Sequence, residues 1–160
     1  MGVQIDNYCT TSFILKDKES VEYIEKFCAL LMDESNLSSG CLSDEAWCDM
    51  IKYGNEENAF VIKAGGYMDS GPELRASALT KLEESENKDE DEETDYDEDA
   101  ISLFSEVQKH LKEDTWFFVD QYSWDRVGAY TGVTFYHQDG RYKSIGNFDI
   151  KKQILKEFKI

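Results

Sequence analysis

The sequence predicts an α+β fold: one domain over residues 1–160, with an antiparallel, or mixed, sheet of about five strands and helices packed mainly on one face. Three observations carry this. Apolar residues recur at three- and four-residue steps in some stretches and sit in β-branched or aromatic runs in others. The elements come in the order β-α-α-β-α-acid-α-β-β-β-α, which lacks the regular alternation of a doubly wound sheet. The last third concentrates aromatics around an Asp139-Gly140 turn signal, as an antiparallel meander requires.

The elements follow in order. Tyr8 to Leu15 reads as a strand from its β-branched and aromatic content. Asp17 can cap a helix over roughly 18–33, with Val21, Ile24, Phe27, Cys28 and Leu31 as its buried stripe. Asn36 to Gly40 is turn-rich. Ser43 is placed to cap a second, short helix to Tyr53, with Trp47, Met50 and Ile51 apolar and Gly54 ending it. Ala59 to Met68 reads as a strand, and Gly65-Gly66 marks a bulge or a close backbone approach.

Ser70, Pro72 and Glu73 form a capping-box pattern that predicts a helix to about Leu82. Beyond the acidic stretch, Ile101, Phe104, Val107 and Leu111 predict a helix over 99–112, with Asp97 or Asp99 at its head. Strands follow at 116–124, 127–137 and 141–145. Gly146-Asn147 is expected to break the last one, and a terminal helix over 149–159 buries Ile150, Ile154, Leu155 and Phe158.

The acidic stretch is Glu83 to Asp99. Twelve of its seventeen residues are acidic and only Lys88 is basic, a local charge of −11 out of −17 for the chain. The rest carries 22 acids and 16 bases, the balance of an ordinary, mildly acidic domain. A chain of this charge is repelled by nucleic acid and by anionic membrane surfaces, and drawn to basic protein surfaces. Blocks of like charge resist folding and serve as interaction segments, so 83–99 reads as an acidic loop. Its charges would lie about 4.7 Å apart if extended and about 2.1 Å apart if helical, against ~1.7 Å in duplex DNA. A helical or compact form therefore approaches duplex charge density, which permits nucleic-acid mimicry. Asp33, Glu34, Asp44, Glu45, Asp49, Glu56 and Glu57 supply further acids around the second helix.

The chemistry-bearing motifs are sparse. Cys9, Cys28, Cys41 and Cys48 lack metal-site spacing, and Cys28 and Cys48 read as helical core residues. MGVQID resembles neither a signal peptide nor a myristoylation site, so free thiols in a reducing cytoplasm are expected. No apolar run reaches membrane-spanning length. The acidic run lacks the glycine and the spaced glutamate of a calcium loop, and no cofactor motif is present. The histidines are His110, near a helix end, and His137, beside Asp139 and within strand reach of Asp120 or Asp125.

Three functions are weighed. The first is a non-enzymatic inhibitor or modulator that occupies the basic, nucleic-acid-binding surface of a partner protein. It would work through Asp89, Glu90, Asp91, Glu92, Glu93, Asp95, Asp97, Glu98 and Asp99, by analogy with the DNA mimics that viruses use against host defence. The second is a protein-binding module that recognises its partner through the aromatic sheet, at Tyr122, Trp124 and Tyr130, with the acidic run passive. The third is a hydrolase-like enzyme centred on His137. Assembly into a homo-oligomer stays open.

Overall fold

The computed structural model describes residues 6–38, 46–67, 71–80, 99–124 and 129–149. Within these ranges the side chains of residues 6–8, 122–124, 129–130 and 146–149 are outside the description. The fold is α+β. Among the described residues, eight strands and three α-helices run in the order β1 (Asp6–Ile14), α1 (Lys18–Leu31), β2 (Trp47–Lys52), β3 (Ala59–Gly65), β4 (Glu73–Arg75), α2 (Ala76–Leu79), β5 (Ala100–Ser102), α3 (Leu103–Lys109), β6 (Trp116–Trp124), β7 (Ala129–His137) and β8 (Tyr142–Asp149). Six of the strands form one antiparallel sheet, ordered β2-β3-β1-β6-β7-β8, and β4 pairs with β5 separately. The main sheet is one strand larger than the sequence suggests, because β2 joins its edge.

The first strand lies inside the sheet, between β3 and β6. Its alternate residues Cys9, Thr11 and Phe13 are buried, while Thr10 and Ser12 are exposed. The same two-residue period continues across the ladders. Phe60, Ile62 and Ala64 of β3, Cys48 of β2, and Phe117 and Val119 of β6 lie on the buried face. They share a core with Ile24, Phe27, Cys28 and Leu31 of α1 and with Leu103, Phe104 and Val107 of α3. The helices therefore cover one face of the sheet, as its sequence pattern implies. Asp17 caps α1 as read from the sequence, its Oδ1 accepting the Ser20 amide at 2.8 Å.

Four expectations are corrected. Residues 47–52 are a strand and not a helix: their backbone pairs with β3 from Trp47 opposite Gly65 to Lys52 opposite Phe60. The apolar set Trp47, Met50 and Ile51 suits either period, and the exposed edge of β3 selects the extended one. Ser43, the proposed cap, lies outside the described residues. Glu73 belongs to β4 and not to a helix; among the described residues of this stretch only Ala76–Leu79 is helical, and Ser70 lies outside them. The helix after the acidic run is headed by Ser102 and not by Asp97 or Asp99. Ser102 Oγ accepts the Phe104 amide at 3.2 Å, because residues 100–102 are held extended by β4. Finally, β8 runs through Gly146-Asn147 to Asp149. The register changes between Thr131 and Gly132, so the two turn-forming residues are absorbed as a bulge instead of ending the strand.

The β6-β7-β8 meander is as expected. At its second turn the Gly140 amide donates to His137 O, and Gly140 has φ +102°, a conformation open to glycine. Asp149, the expected start of the terminal helix, ends β8, and the rest of that helix (150–159), the turn residues Ser39 and Gly40, and Cys41 fall outside the described residues.

Candidate functional site

Of the acidic residues proposed for partner binding, Asp89, Glu90, Asp91, Glu92, Glu93, Asp95, Asp97 and Glu98 lie outside the described residues. What the structure fixes is where their segment leaves and rejoins the fold. Arg75 is paired with Ala100, and the Ala76 amide donates to Asp99 O at 3.0 Å. Chain departing after Thr80 therefore returns to the ladder from which it left. The flanks are a two-stranded ladder with the short α2, not the pair of long helices expected. Asp44 and Glu45 lie outside the described residues, and the described acids belong to separate elements. Asp33 caps a short turn over 34–36, Asp49 lies opposite Lys63 on β2, and Glu56 sits 3.6 Å from Lys112.

The backbone places Tyr122 opposite Thr131, Trp124 opposite Ala129 and Tyr130 opposite Ser123, all on the β6–β7 ladder. Their side chains lie outside the description. The described aromatics of the meander divide between its two faces. Phe117 and Tyr136 stack at 4.9 Å on the helix-covered face, where burial pushes the Tyr136 hydroxyl up from its ordinary pKa. Trp116, Phe118, Phe135 and Ile145 share the opposite face by register. On it Trp116 is 51 % and Phe118 45 % exposed. No described element covers that face. Contiguous exposed apolar area, unlike scattered single residues, marks an interaction surface.

Trp116 organises the surroundings of His137. The two residues are paired across the ladder and their rings meet edge to face at 4.6 Å. His137 Nδ1 accepts the Asp139 amide at 3.1 Å, and Nε2 lies 3.4 Å from Asp114 Oδ1. The side chain is only 5 % exposed. Asp139 matches the sequence reading. Asp120 does not, because register places it opposite Val133, several residues along the strand, and Asp125 lies outside the described residues. Asp114 was not legible as a partner: it reaches the ring from the loop before β6, with φ +58°. Both ring nitrogens are thus engaged within the fold, tying the β7–β8 turn to that loop. His110 caps the end of α3, as anticipated, and stacks on Tyr23 at 4.7 Å.

Beside Trp116 the open face carries a groove of about 560 Å³. Its floor is formed by Ser12, Phe13 and Ile14 of β1 and its sides by Trp116 and by the β2–β3 turn, from Tyr53 to Glu56. Tyr53 is 60 % exposed. Arg141 lies over the Trp116 ring, its guanidinium carbon 5.2 Å from the centroid, and its Nε is 2.7 Å from Asp139 Oδ2. The Arg141 amide and guanidinium donate to Asp139 and hold its carboxyl below the usual carboxylate range. Sequence reasoning missed the groove. Tyr53 and Trp116 are 63 residues apart in sequence and meet through the sheet order alone.

Among the described residues no group of three or more His, Cys, Asp or Glu is arranged to hold a metal, and no helix is long and apolar enough to cross a membrane. Comparison with protein-family models, with curated proteins and with solved structures finds no match to this chain.

Proposed function

We propose that this chain acts by binding rather than by chemistry. It is an acidic interaction protein of the cytoplasm that occupies the basic, nucleic-acid-binding surface of a partner protein and so inhibits or modulates it, as a nucleic-acid mimic does. The observation that carries the reading is the charge: −17 overall, with −11 in residues 83–99. The β4–β5 ladder supports it, because it brings the chain before and after that segment together. Such a segment acts on a basic surface through released counterions and long-range attraction, both of which weaken with salt.

The test is capture from host lysate at low and at high salt, with the intact chain and with residues 85–98 deleted. The expected result is a set of basic nucleic-acid-binding proteins that salt releases, duplex DNA displaces, and the deleted chain fails to hold. Capture indifferent to salt and to the deletion would sink the reading.

A second reading is favoured by the uncovered sheet face with its exposed Trp116 and Phe118. On that reading the aromatic sheet is the protein-binding surface. Replacing Phe118 with serine, or Trp124 and Tyr130 with alanine, would then abolish capture, and the deletion would leave it intact.

A further inference from the structure

The groove beside Trp116 has two aromatic side chains at its edges, Tyr53 and Trp116, both more than half exposed. Glu56 and Asn55 stand at its rim, and Ser12 and Ile14 form part of its floor. Its volume, about 560 Å³, lies within the range of small-ligand sites. Aromatic walls of this kind take either a flat neutral group or a cation, which the ring quadrupole attracts. Charge decides between ligand classes. Glu56 carries negative charge at the rim, so phosphates and carboxylates are repelled and cations favoured. The molecule already shows the matching contact internally: the Arg141 guanidinium lies over Trp116 at 5.2 Å while a carboxylate, that of Asp139, holds it at 2.7 Å. Tyr53 and Glu56, both on the β2–β3 turn, offer a ring and a carboxylate at the groove opposite Trp116. A guanidinium fits the pair better than an ammonium, because it is planar, stacks on rings and meets a carboxylate side-on.

We propose that the groove between Tyr53 and Trp116 binds an arginine side chain of a partner protein. The site rests on the reading of the partner as a basic protein, and adds to it a short-range contact distinct from the acidic segment. Guanidinium enters between the rings, Glu56 accepts its hydrogen bonds, and neighbouring residues of the bound segment fill the rest of the groove. Glu56 leaves Lys112 to do so, at small cost, since that pair is 3.6 Å apart with both side chains about half exposed.

The test uses the full chain and a blocked tripeptide with arginine at its centre, followed by proton–nitrogen NMR at the Trp116 indole and at the Tyr53 and Asn55 amides. A twin peptide with neutral citrulline, which keeps the shape and loses the charge, and a lysine twin complete the set. Saturable shifts confined to these positions are expected with the arginine peptide, weaker binding with lysine, and none with citrulline. Tyr53→Ala should weaken arginine binding about five-fold, and Glu56→Gln about three-fold. Both residues are exposed, so neither variant threatens the fold. Shifts that stay linear, that citrulline reproduces, or that survive unchanged in both variants overturn the proposal. Deletion of residues 85–98 leaves this titration unaltered, whereas it removes salt-dependent capture, so the two readings fail separately.

Discussion

Asp17 illustrates how much a single position can reveal. An acid three residues ahead of Ser20, at the start of an apolar stripe, is readable as a cap, and its carboxylate does accept the Ser20 amide. Hydrogen bonds from Ser20, side chain first and backbone second, lower its pKa from the usual 3.8. A carboxyl lowered in the folded state contributes stability that is fully present above 3.8 and is lost as pH falls through the folded value. Asp17→Ala should therefore lower the melting temperature by about 2–4 °C at neutral pH. The gap to the parent should narrow below pH 3.8, as thermal denaturation at a series of pH values would report. A gap that is unchanged at lower pH would show that the carboxylate is not what caps α1. Ser102 and Asp114 are the counter-cases. Each takes its role from a backbone placed by distant pairing, β4 against β5 for Ser102 and the loop against the β7–β8 turn for Asp114. No local pattern marks either.

At the scale of the element, residues 47–52 show where local signals mislead. Helix and strand compete for an apolar set that satisfies both periods, and the free ladder of β3 settles the matter. Gly65, expected with Gly66 to mark a bulge or a close backbone approach, is approached by a side chain. A Cβ on Gly65 would stand 2.9 Å from the Trp47 indole, which packs over that glycine across the ladder. Gly65→Ala must push the indole aside. The expected cost is about 1–3 kcal/mol in denaturant unfolding, together with a red shift of Trp47 emission measured in a background lacking Trp116 and Trp124. An alanine accepted with unchanged stability and emission would mean that the indole does not sit on Gly65. Gly146-Asn147 carries the complementary lesson: turn residues inside a paired strand make a bulge when the partner strand continues past them.

For the whole molecule, the decisive fact is that β1 is interior to the sheet. Cys9 on β1 and Cys48 on β2 lie on the helix-covered face, each opposite Ala64 of β3, and Cys28 comes from α1 in the same core. Burial pushes the Cys9 thiol up to about 12, and a hydrogen bond with the Cys28 side chain, together with burial, raises that of Cys48. Thiolate, the reactive form, is accordingly suppressed. In the native protein at pH 8, peptide-mapped labelling with a thiol reagent should leave Cys9, Cys28 and Cys48 unmodified, and unfolding in urea should expose all three. Rapid native labelling at any of them would contradict the packing of α1 on β1–β3. The same sheet order brings Tyr53 and Trp116 to one groove and leaves Trp116 and Phe118 on a face that no described element covers.

The sequence by itself determined what depends on neighbours along the chain. It determined the α+β class, the capped stripe of α1, the meander and its Asp139-Gly140 turn, the burial of Cys28, and the concentration of charge at 83–99. These rest on periodicity, capping chemistry and Coulomb repulsion, all of which act over a few residues. Only the tertiary structure decided that 47–52 is a strand, that the acidic segment springs from a β-ladder, that His137 is enclosed by Asp114 and Trp116, and that a groove exists. Except for 47–52, which pairs with the next strand along the chain, each of these joins segments far apart in sequence. Such a pairing is chosen by the hydrogen bonds and buried area it completes across the sheet, and those quantities have no local signature.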